Sequence, residues 1–141
     1  DQNYSEALEW YRKAAEQGDA VAQFNLGTMF FNGFGTDQDY SKAMEWYRKA
    51  AEQGDAAAQF QVGEIFCYGS GTEQDYSKAL GWYRKAAEQG LADAQCCLGD
   101  MFDTGQGTEQ FFFQSTGLVL KGRRARGRGC TVQLGRTVLQ W

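Results

Sequence analysis

The chain has 141 residues, of which 43% are hydrophobic and 15% aromatic, as is typical of one modest globular domain rather than of a disordered segment. The 18 acidic residues all lie within residues 1–110, beside eight Lys and Arg, whereas residues 111–141 carry six Lys and Arg and no acid. Histidine is absent, which removes the commonest metal ligand and general base, and no run approaches the roughly 18 apolar residues of a membrane helix. We therefore expect no cofactor, no metal site and no membrane insertion. No secretory leader is recognisable, the chain begins with Asp1 rather than Met, and the compartment is not readable.

A repeat of 36 residues dominates the first 110 positions. Near-identical segments begin at Asn3, Asp39 and Asp75, and each contains the string WYRKAAEQG without insertion or deletion. Such a period indicates a stack of equivalent structural units, so we expect a repeat solenoid over residues 1–110.

Each unit is predicted to hold two helices. The first, from about Tyr40 to Gln53, places its Ala, Trp and Tyr residues on one apolar face, and Asn3, Asp39 and Asp75 can cap the three copies. The second runs from about Ala56 to Tyr68. Glycines at the ends of both helices suit left-handed C-caps, at Gly18, Gly54 and Gly90 and at Gly33, Gly69 and Gly105.

A further glycine recurs inside the second helix, at Gly27, Gly63 and Gly99. A glycine inside a helix costs about 1 kcal/mol relative to alanine. Its threefold recurrence predicts that another helix backbone crosses there, too close for a Cβ atom.

The string ALEWYRKAAEQGD, followed by AxxxLG and GxGT, resembles the Sel-one-like repeat, a relative of the tetratricopeptide repeat. The resemblance covers residues 3–110 and implies an all-α, right-handed α-solenoid of helix-turn-helix repeats with a concave groove that holds protein segments. It further implies a non-catalytic scaffold or adaptor, not an enzyme.

Comparison of the three repeats singles out one stripe of the second helices, where corresponding residues differ at spacings of three and four. In the related tetratricopeptide architecture this stripe lines the groove. We therefore predict a surface for a protein or peptide partner that carries basic residues, and we call it the second-helix stripe. Its members are Phe24, Asn25, Thr28, Phe31, Phe60, Gln61, Glu64, Tyr68, Asp100 and Asp103.

Two other interpretations of these positions stay open. A solvated face under no constraint would vary in the same way, although exposed phenylalanines are costly on a surface without a use. Glu64 and Asp100 could also act as an acid–base pair, but no orienting residue or histidine accompanies them. The cysteines form no disulfide framework by spacing, and thiols are the simpler expectation.

Residues 111–141 interrupt the pattern abruptly. Shifting the reading frame by one base converts Leu118-Val119, coded CTG GTN, into a Trp codon, and neighbouring stretches similarly yield Ala-Ala-Glu-Gln-Gly and Asp-Ala-Gln-Tyr-Asn-Leu-Gly. We therefore interpret this non-repeat tail as a frameshifted fourth repeat, with the Phe111–Phe113 codons as the slippage site. The alternative is an Arg-Gly tail that contacts nucleic acid.

The two ends of the array lack the polar caps of a terminal repeat, which predicts a fragment of a longer protein. Self-association is then expected through Met101, Phe102 and the Phe111–Phe113 segment. The alternative to a binding scaffold is accordingly an architectural spacer or oligomerisation module within a longer repeat protein.

Overall fold

The computed structural model describes residues 2–107, and within that range the chain forms six α-helices and no strand. The helices are α1 (Gln2–Glu16), α2 (Ala20–Asn32), α3 (Tyr40–Glu52), α4 (Ala56–Tyr68), α5 (Tyr76–Glu88) and α6 (Ala92–Thr104). Each packs mainly against the helices before and after it in the chain. This serial packing confirms the predicted all-α solenoid.

We call the first helix of each repeat (α1, α3 and α5) the first-type helix and the second (α2, α4 and α6) the second-type helix. The first-type helices α3 and α5 begin as predicted. Asp39 and Asp75 adopt extended backbone, and each carboxylate accepts a hydrogen bond of 3.1 Å from the amide three residues on. The prediction for Asn3 was wrong, because Asn3 lies inside α1. The amides of Asp39 and Asp75 are anchored to the carbonyls of Phe30 and Phe66 on the preceding helix, and no described residue offers Asn3 that anchor.

The second-type helices carry caps that the sequence pattern had not singled out. The carboxylates of Asp19 and Asp55 accept hydrogen bonds from the amides of Ala22 and Ala58, at 3.0 and 2.9 Å. Leu91 holds the same place before α6 and supplies no side-chain cap. At the other end the predicted C-cap glycines do adopt the left-handed conformation, with φ between 69° and 74°.

The core lies between successive helices, where small residues let the backbones approach and aromatic rings fill the remaining volume. Ala43, Ala50 and Ala79 are fully buried, and the rings of Tyr47 and Tyr83 are only 2% and 1% exposed. Each tyrosine belongs to a first-type helix and packs against the second-type helix of the preceding repeat. None of the described helices is long and apolar enough to cross a membrane.

Candidate protein-binding surface

The recurring glycine of the second helix faces a tyrosine ring. A Cβ atom added at Gly27 would stand 2.8 Å from the ring of Tyr47, and one at Gly63 would stand 2.7 Å from the ring of Tyr83. The predicted close approach of another helix is therefore correct at Gly27 and Gly63, where the nearest neighbour is the aromatic side chain rather than the backbone, whereas no described residue approaches Gly99 in this way. We call the site on the second-type helix that receives the tyrosine ring, centred on the recurring glycine, the tyrosine socket.

The hydroxyl of each socket tyrosine is also satisfied within the protein. Tyr47 donates to the hydroxyl oxygen of Thr28 at 3.0 Å, and Tyr83 donates to Oε1 of Glu64 at 2.5 Å. Burial raises the pKa of both tyrosines, and the nearby Glu64 carboxylate raises the pKa of Tyr83 further. Two members of the predicted stripe thus serve as acceptors for buried donors.

The stripe phenylalanines are half-buried rather than exposed. The rings of Phe24 and Phe60 lie 5.5 and 5.6 Å from those of Tyr47 and Tyr83, and Phe31 lies 5.0 Å edge-on from Tyr40. All three pack against the hydrophobic core. Their burial against the next repeat explains why they do not carry the cost expected of exposed rings.

The remaining stripe residues stay open to solvent to different degrees. Asn25 and Gln61 are half-exposed, Tyr68 is 41% exposed, and Asp100 and Asp103 are half-exposed on α6. Burial raises the pKa of Asp100, and the neighbouring Asp103 raises it further. The accessible part of the stripe therefore offers amides, an aromatic ring and carboxylates.

A glutamine pair links each repeat to the next. Gln53 donates to Gln23 at 2.7 Å, and Gln89 donates to Gln59 at 2.8 Å. Gln23 and Gln59 are buried and donate in turn to backbone carbonyls at the end of the preceding first-type helix. The signal for this contact was present in the sequence, since a polar residue that recurs unchanged within an apolar helix face is typical of a buried hydrogen bond.

The thiol prediction holds for two of the three described cysteines. Cys67 is a buried free thiol and Cys96 is a half-buried one, whereas Cys97 is disulfide-bonded, so the prediction was wrong for Cys97. Burial raises the pKa of the Cys67 thiol, which makes it a poor nucleophile. Among the described residues no group of His, Cys, Asp or Glu is placed to hold a metal ion.

The Sel1 repeat family model matches residues 1–19, 20–55, 56–91 and 92–110. These units begin at second-type helices, whereas the units that start at Asn3, Asp39 and Asp75 begin at or near first-type helices, with the same period. No curated protein matches the chain.

Two solved structures are similar to it. A Sel1 repeat protein from Oxalobacter formigenes is 42% identical with a TM-score of 0.70, and the match covers 78% of this chain and 48% of that one. The protein c5321, a protective antigen present in uropathogenic Escherichia coli strains and displaying an SLR fold, is 45% identical with a TM-score of 0.70. That match covers 71% of this chain and 21% of c5321, so the chain spans less than half of either relative.

Proposed function

The chain belongs to the Sel1 repeat family, whose members generally mediate protein–protein interaction, and we propose that it is a scaffold that binds a basic protein segment along the second-helix stripe. Family members are generally non-enzymatic, in keeping with this role. The observation that carries the proposal is the row of half-exposed polar and aromatic side chains on the second-type helices α2 and α4, above a rigid layer of buried tyrosines.

Rigidity under the stripe supports binding. The Tyr83 hydroxyl fixes the Glu64 carboxylate, and Thr28 is fixed both by Tyr47 and by its own hydrogen bond to the Phe24 carbonyl. Side chains that are already ordered lose little conformational entropy when a partner docks. The stripe is therefore suited to hold an extended or helical segment without rearrangement.

The charge of the surface selects the partner. Residues 1–110 carry 18 acidic and eight basic side chains, and three carboxylates, Asp93, Asp100 and Asp103, lie on α6. A partner segment with Lys or Arg would meet a complementary potential, which raises the association rate and excludes acidic competitors. Binding should weaken as salt screens these charges.

Glu64→Gln tests the role of the stripe charge. The amide keeps an acceptor oxygen for the Tyr83 hydroxyl, so the fold is retained, while the negative charge is lost. We expect a fluorescent, lysine-bearing amphipathic peptide of about 15 residues to bind the wild type and to bind this variant about two- to fivefold more weakly in an anisotropy titration.

Glu45→Gln is the matched control, because Glu45 is an exposed glutamate of the same repeat on the first-type helix α3. It should leave the affinity unchanged, and a glutamate-bearing peptide of the same length should not bind. Equal weakening by both substitutions would mean that the charge effect is not localised on the stripe and would refute the proposal.

The spacer or oligomerisation role remains the second candidate, and the exposed Tyr11 on α1 together with Gly99 on α6 favours it. Contact with nucleic acid through the Arg-Gly segment, the frameshift interpretation and the role of Phe111–Phe113 all fall outside the described residues and stay predictions.

A further inference from the structure

The outward face of α1 carries residues whose counterparts in α3 and α5 are buried or half-buried. Tyr11 is 36% exposed and Trp10 is 67% exposed, whereas Tyr47 and Tyr83, which stand 36 and 72 positions after Tyr11, are buried. Ala7 and Ala14 are likewise half-exposed, while their counterparts in α3 and α5 are fully buried. Helix α1 thus presents a socket tyrosine with no glycine beneath it among the described residues.

Helix α6, the last of the described helices, presents the matching half. A Cβ atom added at Gly99 on α6 would meet no atom of residues 2–107 within 4 Å, although the corresponding Gly27 and Gly63 are covered by tyrosine rings. Asp100 follows it, at the position where Thr28 and Glu64 accept a tyrosine hydroxyl. Phe102, at the position of the buried Phe30 and Phe66, is 39% exposed.

We propose that the chain associates head to tail with itself, α1 of one copy docking on α6 of a second so that Tyr11 enters the socket formed by Gly99 and Asp100. The contact would reproduce the packing of α3 on α2 and of α5 on α4, which the molecule already contains twice. The Tyr11 hydroxyl would donate to the Asp100 carboxylate, as Tyr83 donates to Glu64.

A second contact of the internal interfaces is also available at the ends. Gln17 corresponds to Gln53 and Gln89, it is exposed, and Gln95 corresponds to the acceptors Gln23 and Gln59. Docking would let Gln17 of one copy donate to Gln95 of the other. One internal contact has no counterpart, because Glu6 stands where Lys42 and Lys78 lie over the rings of Phe30 and Phe66.

A second copy fits the socket better than the chain's own residues 111–141. The position 36 residues after Tyr83 is Val119, which has neither a ring to cover Gly99 nor a hydroxyl to donate to Asp100. Of the tyrosines at this repeat position, Tyr47 and Tyr83 pack on a glycine, whereas Tyr11 packs on none among the described residues. Helices α1 and α6, the first and last helices of the described residues, thus carry the two halves of one interface.

The resulting contact joins two different surfaces, so it does not close after two copies and can extend to chains of several molecules. A single pair of helices buries less than a standard protein–protein interface, so the association is expected to be weak. It should become measurable at protein concentrations on the order of 1 mM.

Sedimentation of the 141-residue chain under reducing conditions, over rising concentration, tests the proposal with two variants. Gly99→Ala adds a methyl group that a docked Tyr11 ring would strike, and Tyr11→Ala removes the ring; the wild type should show a rising average mass, and each variant alone should stay monomeric. Gly81→Ala is the control, because it makes the same change on α5 where no described residue lies within 4 Å of the added methyl group, and it should associate like the wild type.

An equimolar mixture of the two variants gives the sharpest result. The Tyr11→Ala chain keeps an intact socket and the Gly99→Ala chain keeps an intact Tyr11, so the mixture should form a one-to-one dimer and nothing larger. A monomeric wild type, a monomeric mixture, or variants that still associate alone would each overturn the proposal. A monomeric wild type whose thermal stability falls with Gly99→Ala would show that residues 111–141 cover the socket instead.

Discussion

Thr28 and Glu64 occupy equivalent positions, differ in size and charge, and both accept a hydrogen bond from a buried tyrosine of the next helix. A threonine hydroxyl and a carboxylate can replace each other at this position because the side-chain oxygen of each can accept the hydrogen bond from the tyrosine. Positions that vary between the repeats therefore include this one, which has a structural role, as well as positions that are accessible to a partner. The sequence pattern located the stripe, but it could not separate these two kinds of position.

The tyrosine sockets make a prediction at Gly63. Gly63→Ala should lower the free energy of unfolding by about 1–3 kcal/mol, because its methyl group would overlap the tightly packed Tyr83 ring. Gly81→Ala, also inside a helix but with no described residue near the added methyl group, should instead raise the free energy of unfolding by about 0.5–1 kcal/mol. Urea unfolding of the two variants checks both signs, and a stabilising Gly63→Ala would contradict the socket.

The raised pKa of Asp100 predicts that the stability of the fold depends on pH. Its pKa in the folded chain is raised by burial and by Asp103, so the folded state holds the proton more tightly than the unfolded state does. Its contribution to stability is complete below the ordinary aspartate pKa of 3.8 and is lost as the pH rises through the raised value. Asp100→Asn removes this loss of stability. As the pH rises through this range, the midpoint of urea unfolding should therefore fall less, or rise more, in Asp100→Asn than in the wild type.

Asp37→Asn, which removes one carboxylate from an exposed loop, is the matched control for that comparison. A wild-type and an Asp100→Asn profile of the same shape would contradict the raised pKa of Asp100.

At the scale of the helices, the boundaries follow from capping residues and glycines. The predicted first-type helix from about Tyr40 to Gln53 is observed as Tyr40–Glu52, and the predicted second-type helix matches Ala56–Tyr68. The N-caps Asp19 and Asp55 are not among the predicted caps, although each stands one residue before its helix and an aspartate at that place indicates a cap. Leu91 shows that a helix at this position also forms without a cap, because its packing is shared with its neighbours.

The cap of α4 provides the test at this scale. Asp55→Ala should lower the free energy of unfolding by about 1 kcal/mol, since the amide of Ala58 loses its acceptor. Asp55→Asn keeps a side-chain oxygen and should cost a few tenths of that. Thermal unfolding followed by circular dichroism measures both, and equal losses would mean that the charge of Asp55 matters rather than its hydrogen bond.

At the scale of the molecule, the 36-residue period was enough to predict a solenoid, because each unit buries its apolar face only against the next. The contacts that join units could not be predicted in the same way. The partners of Tyr83 lie 19 and 20 residues earlier, and the glutamine pairs join residues 30 apart, so their geometry depends on how two helices cross. The exposure of the proposed binding surface could not be predicted for the same reason, since Phe24 and Phe60 pack against the next repeat.

Backbone amide shifts of the isotope-labelled chain, recorded by NMR during titration with the lysine-bearing peptide, test the proposed scaffold most directly. The second-helix stripe predicts that the largest changes fall on α2 and α4 around Asn25, Gln61, Glu64 and Tyr68, with smaller changes on the outer faces of α3 and α5. Changes concentrated on α3 and α5, or no saturable change at all, would contradict it.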